Sequence, residues 1–176
     1  MATAPQDSQI TNWMNWSAAE LVHSLEDNKQ EAEWLLSYLL NCSKSELYHQ
    51  KNELSEEQCE LFQDWISRRI KGEPAQYIAG WTEFYGHRFN VNKSVLIPRA
   101  ETERLVDVAI YTLQELEKHQ IVDIGTGSGC IAISVAAEIP SASVLGLDIS
   151  PEALVTAEEN ASINKLLNVQ FLQTDF

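Results

Sequence analysis

Seven residues, Asp123-Ile124-Gly125-Thr126-Gly127-Ser128-Gly129, constrain this chain more than any other stretch. Before them stands Gln120-Ile121-Val122, a short strand of buried type. After them, Cys130-Ile131-Ala132-Ile133-Ser134-Val135-Ala136-Ala137 reads as a helix packed against a sheet. A strand, a glycine turn and a helix bring backbone N–H groups and a helix N-terminus to bear on one small ligand. Glycine suits such a turn because a Cβ blocks both its geometry and a ligand's close approach. The next strand, Ser143-Val144-Leu145-Gly146-Leu147, ends in Asp148, 23 residues after Gly125. That is near the spacing of about 20 at which an acidic side chain meets ribose hydroxyls. A plain structural turn is the competing reading, but the strand, loop, helix, strand and terminal carboxylate all occur in order. The third glycine of a dinucleotide fingerprint would fall one place later, at Cys130. Asp123, two residues before the first glycine, suits a ligand carrying an ammonium group. Both features favour S-adenosylmethionine over NAD.

Composition narrows the class. A length of 176 residues allows one ordinary domain or two small ones, and 44% hydrophobic residues suffice for a core. No run approaches the ~18 apolar residues of a membrane span. The first basic residue is Lys29, which fits neither a transit peptide nor a secretory signal. Cys42, Cys59 and Cys130 have no metal-type spacing and read as reduced core thiols of a cytoplasmic protein; no metal site is expected. A net charge of −14 speaks against direct binding to a nucleic-acid backbone. It is spread over both halves of the chain and so marks neither as a tail.

Residues 1–76 read as an all-helical bundle. Ser17-Ala18-Ala19-Glu20 has the form of a capping box, followed by Leu21, Val22 and Leu25. Glu31 to Leu40 is the most apolar helix, and Ser43 to Glu46 and Ser55 to Gln58 are further capping boxes. Cys59, Phe62, Ile66 and Ile70 form a stripe with Trp65 beside it, ended by Gly72 and Pro74. Four of five tryptophans (Trp13, Trp16, Trp34, Trp65) lie here, as a bundle core requires. Residues 77–98 read as a β-hairpin connector, with Trp81 to Tyr85 and Arg88 to Val91 as strands. Gly86-His87 is expected at the turn, and Val95-Leu96-Ile97 reads as a further strand ended by Pro98. From Glu101 a helix is expected with Leu105, Ala109, Thr112, Leu113 and Leu116 inward. Ser150 and Pro151 open another helix, and Asn168 to Leu172 is a third strand. Residues 99–176 would then be part of an α/β domain.

Longer motifs carry a resemblance. They run from Gly72-Glu73-Pro74-Ala75-Gln76-Tyr77-Ile78-Ala79-Gly80, through Phe84-Tyr85-Gly86 and Phe89-x-Val91, to Val95-Leu96-Ile97-Pro98-Arg99-Ala100-Glu101-Thr102-Glu103. Beyond these lie Asp123 to Ala132, Asp148-Ile149-Ser150 with Ala153-Leu154, and Asn168-Val169-x-Phe171. The chain resembles the protein-(glutamine-N5) methyltransferases of peptide-chain release factors, the PrmC/HemK type. The run through Ile97, Arg99 and Glu103 is specific to that family; Ala100 stands where the family usually has a second proline.

The resemblance implies a helical substrate-recognition domain, a hairpin connector and the first half of a Rossmann-like methyltransferase domain. It implies S-adenosylmethionine as cofactor, with Gly125, Thr126, Gly127, Ser128 and Gly129 around its methionine portion and Asp148 on its ribose. Phe176 would lie beside the adenine. Arg99 and Glu101 are either active-site lid residues or a helix-start ion pair. It implies a release factor as protein partner, methylated on the glutamine of a Gly-Gly-Gln loop. The family's Asn-Pro-Pro-Tyr motif, which holds the substrate amide, is absent from these 176 residues, whose prolines are never adjacent. No catalytic residue is therefore assigned, and the chain alone is expected to be inactive. A NAD-dependent oxidoreductase fragment and a non-catalytic protein-binding module are the alternatives.

Overall fold

A computed structural model describes residues 3–21, 28–49, 53–113 and 120–175. They divide into two compact units, residues 1–79 and 80–176.

The first unit is helical: α1 (Ile10–Leu21), α2 (Asn28–Leu40), α3 (Lys44–His49), α4 (Glu56–Ile70) and α5 (Ala75–Ala79). One isolated antiparallel bridge, Gln9 with Glu53, supplements them. The α1 face made by Ile10, Trp13, Met14, Ser17 and Leu21 is buried, as are Leu35 and Leu36 of α2 and Phe62, Trp65 and Ile66 of α4. Trp13 meets Phe62 edge to face, with ring centroids 6.2 Å apart. Two capping boxes form as expected. The Ser55 hydroxyl accepts from the Gln58 N–H and the Gln58 side chain accepts from the Ser55 N–H; Ser43 and Glu46 make the same exchange.

Ser17 does not cap. It lies inside α1, fully buried, and its hydroxyl donates to the Met14 carbonyl at 3.0 Å. The helix starts at Ile10 because Asp7 supplies the polar entry: its carboxylate accepts from the Gln9 N–H and the Asn12 side chain. Val22 and Leu25 lie outside the described residues. Cys42 and Cys59 are half-buried free thiols rather than core residues. Gly72, at φ +91°, turns the chain out of α4. The short helix α5 then follows Pro74, where no helix was expected.

The second unit opens with a hairpin, β1 (Trp81–Phe84) and β2 (His87–Asn90). Its turn is Tyr85-Gly86, not Gly86-His87. Both turn residues have positive φ, +50° and +73°, as a two-residue turn matched to strand twist demands. Tyr85 is held there by two bonds to α6 (Ala100–Leu113): its N–H donates to Glu103 and its hydroxyl to Asp107, each at 2.8 Å. His87 is thereby the first residue of β2, opposite Phe84.

Val95-Leu96-Ile97 is not a strand, for no neighbour among the described residues pairs with it. Asn92 folds the chain back by accepting from the Ser94 N–H, which buries Val95 and leaves Leu96 exposed. On α6 the inward stripe is Val106, Ala109, Ile110 and Leu113. Leu105 is 55% exposed and Thr112 is exposed; Leu116 lies outside the described residues.

The rest alternates strand and helix: β3 (Gln120–Ile124), α7 (Cys130–Glu138), β4 (Ser143–Asp148), α8 (Pro151–Ile163) and β5 (Val169–Gln173). The sheet is parallel in the order β3-β4-β5. Two right-handed crossovers running the same way across a sheet place their helices on one face. Ile121, Val144 and Val169 lie level on that face and enter the core. Val122, Ile124 and Leu172 point the other way and are 55%, 65% and 54% exposed.

Candidate cofactor cleft

The glycine loop lies between β3 and α7, and its shape follows from its contacts. The N–H groups of Gly125 and Thr126 both donate to the Leu147 carbonyl, tying the loop to the end of β4. Gly125, Gly127 and Gly129 have φ of +74°, +55° and +79°, a region costly for other residues. Gly129 also lacks room. An added Cβ would stand 2.9 Å from Ile133 Cδ1 and 3.2 Å from both Ala157 and Phe171. The close helix–strand approach that a dinucleotide fingerprint would secure at residue 130 is secured here by Gly129 itself.

Asp148 ends β4 facing this loop. One of its oxygens accepts from the Gly127 N–H at 2.8 Å and the other from the Ser150 N–H at 3.0 Å. Two bonds leave lone pairs on the carboxylate free for further donors. Ser150 caps α8 through the Ala153 N–H, with Pro151 in its first turn. A cleft of about 200 Å³ opens at these strand ends, lined by Ile124, Gly125, Leu147, Asp148, Ile149, Thr174 and Asp175. The carboxyl ends of parallel strands are where open α/β sheets bind ligands.

Asp123 sits beneath the loop, accepting from the Thr126 hydroxyl at 2.7 Å and the Ala132 N–H at 3.3 Å. Burial raises its pKa above the usual carboxylate value, and the Asp148 charge adds to the rise. Among the described residues, no ion pair joins either carboxylate to a cation. Thr126 and Ser128 are buried, and the Ser128 hydroxyl has no hydrogen-bond partner among the described residues. Burial pushes the Cys130 thiol up to about 11, so it is inert packing.

The structure therefore brings Gly125 and Asp148 together at one cleft, with Gly127 bonded to Asp148, whereas Thr126, Gly127, Ser128 and Gly129 do not line it. Arg99 and Glu101 are exposed at the start of α6, form no ion pair with each other and do not line this cleft. Phe176 lies outside the described residues. Among the described residues there is no metal-type cluster, and no helix is long and apolar enough to cross a membrane.

Sequence reasoning missed three contributors. Gly146 in β4 gives the loop its room: a Cβ there would lie 2.5 Å from the Phe171 ring and 2.9 Å from the Thr126 hydroxyl. A lone glycine within a strand pattern was the available signal. Asp175 lines the cleft together with Asp148. Asn160, with no exposed surface on α8, accepts from the Asn90 N–H and donates to the carbonyls of Asn90 and Ser128.

Comparison with known proteins agrees with this architecture. Residues 12–80 match the family model "PrmC N-terminal domain", and residues 116–176 match "Methyltransferase domain". The release factor glutamine methyltransferase of Koribacter versatilis is 45% identical over 132 residues, covering 74% of this chain and 47% of that protein. The same-named protein of Fusobacterium nucleatum is 42% identical over 147 residues, covering 82% and 42%. That of Chlorobaculum tepidum is 35% identical over 176 residues, covering 91% and 60%. The chain thus spans about half the length of the curated relatives it matches. With both of its units matched, it belongs to the release factor glutamine methyltransferase family.

Proposed function

We propose that the whole protein methylates a glutamine side-chain amide of a peptide-chain release factor, with its donor bound at the glycine loop and Asp148. One observation carries the donor site: the Asp148 carboxylate, at the mouth of a cleft and with lone pairs to spare, beside a loop of three left-handed glycines. S-adenosylmethionine fits these residues chemically. It carries an ammonium and a sulfonium, and Asp123 and Asp148 form no ion pair that would already neutralise them. Asp148 would accept from ribose hydroxyls, Asp175 from an adenine amino group, and Ile124 and Ile149 would flank the ring. When bound, the donor supplies an activated methyl group.

What these residues do is bind and aim. The backbone of Gly125 to Gly129 leaves the cleft open at the end of β3. Asp148 fixes the Gly127 peptide while facing the ligand. A carboxamide nitrogen is a poor nucleophile, since its lone pair is delocalised into the carbonyl. The acceptors that would orient it and stabilise developing positive charge belong to the family motif outside these residues. Arg99 and Glu101, at the start of α6, are candidates for a lid over the reacting groups. The acidic helical unit would help hold the large protein substrate.

Mass spectrometry of a release factor incubated with the full-length protein and S-adenosylmethionine tests this. The expected product gains one methyl group on a glutamine. Label found only on nucleic acid or on a small molecule would overturn the proposal.

A further inference from the structure

The free edge of β2 is not left to water. The Arg88 carbonyl and both main-chain groups of Asn90 are taken up by two side chains four residues apart, Asn160 of α8 and Asn164 at its C-cap. Asn164 Nδ2 donates to the Arg88 carbonyl at 2.9 Å, and Asn160 holds both the N–H (2.6 Å) and the carbonyl (3.0 Å) of Asn90. Thr156 accepts from the Asn92 side chain at 3.0 Å. Four residues advance about 6 Å along a helix and two advance about 6.6 Å along a strand. One helix face therefore stays in step with alternate residues of the strand and substitutes for a missing ladder partner.

Only the middle rung reaches further. Asn160 Nδ2 also donates to the Ser128 carbonyl at 2.9 Å. This carboxamide is fully buried, and all of its bonds go to main chain. A buried polar group with every partner in place fixes the geometry of what it touches, and losing it strands several main-chain groups at once. Ser128 lies between Gly127, whose N–H meets Asp148, and Gly129, which opens α7.

We propose that Asn160 is a positioning residue that ties the glycine loop to the hairpin, so that donor affinity depends on the bonds this one carboxamide makes to the Ser128 carbonyl and to Asn90. This rests on the reading that the loop binds the methyl donor. Asn164, which touches the hairpin but not the loop, is the internal control.

The test uses the full-length protein with S-adenosylmethionine as titrant. Asn160→Ala should weaken donor binding about tenfold, as expected for lost buried hydrogen bonds, and speed exchange of the Gly127 to Gly129 amides. Asn164→Ala should loosen the hairpin amides while leaving donor affinity within about twofold, since no bond to the loop is lost. Asn160→Asp covers the case in which the alanine variant does not fold. Its ionised carboxylate faces two carbonyls, whereas the protonated form can again donate. Its donor affinity, relative to the unsubstituted protein at each pH, should therefore rise as pH falls. Equal weakening by the alanine variants at 160 and 164, or a flat relative pH profile for the aspartate variant, overturns the coupling. If the unsubstituted protein binds no S-adenosylmethionine, the donor reading fails. Amide exchange in the loop then decides the coupling alone: unchanged exchange in Asn160→Ala refutes it.

Discussion

The two units solve the burial problem in different ways. In the helical unit each main helix turns one face to the shared core, and short-range caps finish the ends. Among its described residues, Tyr48 and Leu61 are the large apolar side chains left exposed. In the α/β unit one sheet face is sealed by α7 and α8. The other presents Val122, Ile124 and Leu172, and α6 adds an outward row of Leu105, Val108 and Tyr111. Among the described residues no strand pairs with the outer edge of β3. A set of helices can close on itself locally, whereas a parallel sheet with one covered face needs a second layer. The cleft lies at the ends of these strands, beside the uncovered side.

That contrast predicts its largest effect on catalysis. Residues 1–176 alone should show methyl transfer at least ~10²–10³-fold below the full-length protein, because the Asn-Pro-Pro-Tyr motif expected to hold the substrate amide does not occur in them. A turnover assay on both proteins checks this, and comparable rates would contradict it. Hydrogen exchange on residues 1–176 should likewise find the helices of the first unit better protected than β3.

A paired substitution sharpens the contrast further. Gly146→Ala drives a methyl into the Phe171 ring and the Thr126 hydroxyl, and should cost ~1–3 kcal/mol together with donor affinity. Ser55→Ala removes one cap and should cost ~1 kcal/mol of the first unit without touching donor binding. Thermal unfolding combined with donor titration separates them. Loss of donor affinity in the serine variant would contradict the division.

Much of this architecture was legible beforehand. The strand, glycine loop, helix and terminal carboxylate announce themselves because local chemistry dictates them: left-handed glycines, Ser150 with Pro151, and capping boxes at Ser43 and Ser55. Errors came where tertiary contacts decide. Ser17 has the spacing of a cap, yet Asp7 starts the helix earlier and the core claims the serine. Tyr85 takes a turn position that glycine or asparagine usually fills, because Glu103 and Asp107 hold it. Val106, Ala109, Ile110 and Leu113 show i, i+3, i+4, i+7 spacing, and the phase of that helix could have been read from them. Asn160 left no signal, since its partners lie 32 and 70 residues away.

A smaller effect concerns protons. Asp123 is raised above the usual carboxylate pKa, so its ionised form costs folding free energy at neutral pH, a cost relieved as pH falls through the folded pKa. A cationic donor nearby stabilises the ionised form and lowers that pKa. Donor binding just above the usual carboxylate range should thus release protons, and affinity should rise with pH there. Calorimetry in two buffers of different ionisation heat reads the proton count. Proton uptake would place the donor's charges elsewhere.

The most direct measurement is calorimetric titration of the full-length protein with S-adenosylmethionine and with NAD, repeated on Asp148→Ala. The donor site described here predicts saturable binding of S-adenosylmethionine, weakened by ~1–3 kcal/mol in the variant, and no response to NAD. Tight NAD binding without a response to S-adenosylmethionine, or a variant that binds the donor as the natural protein does, would contradict it.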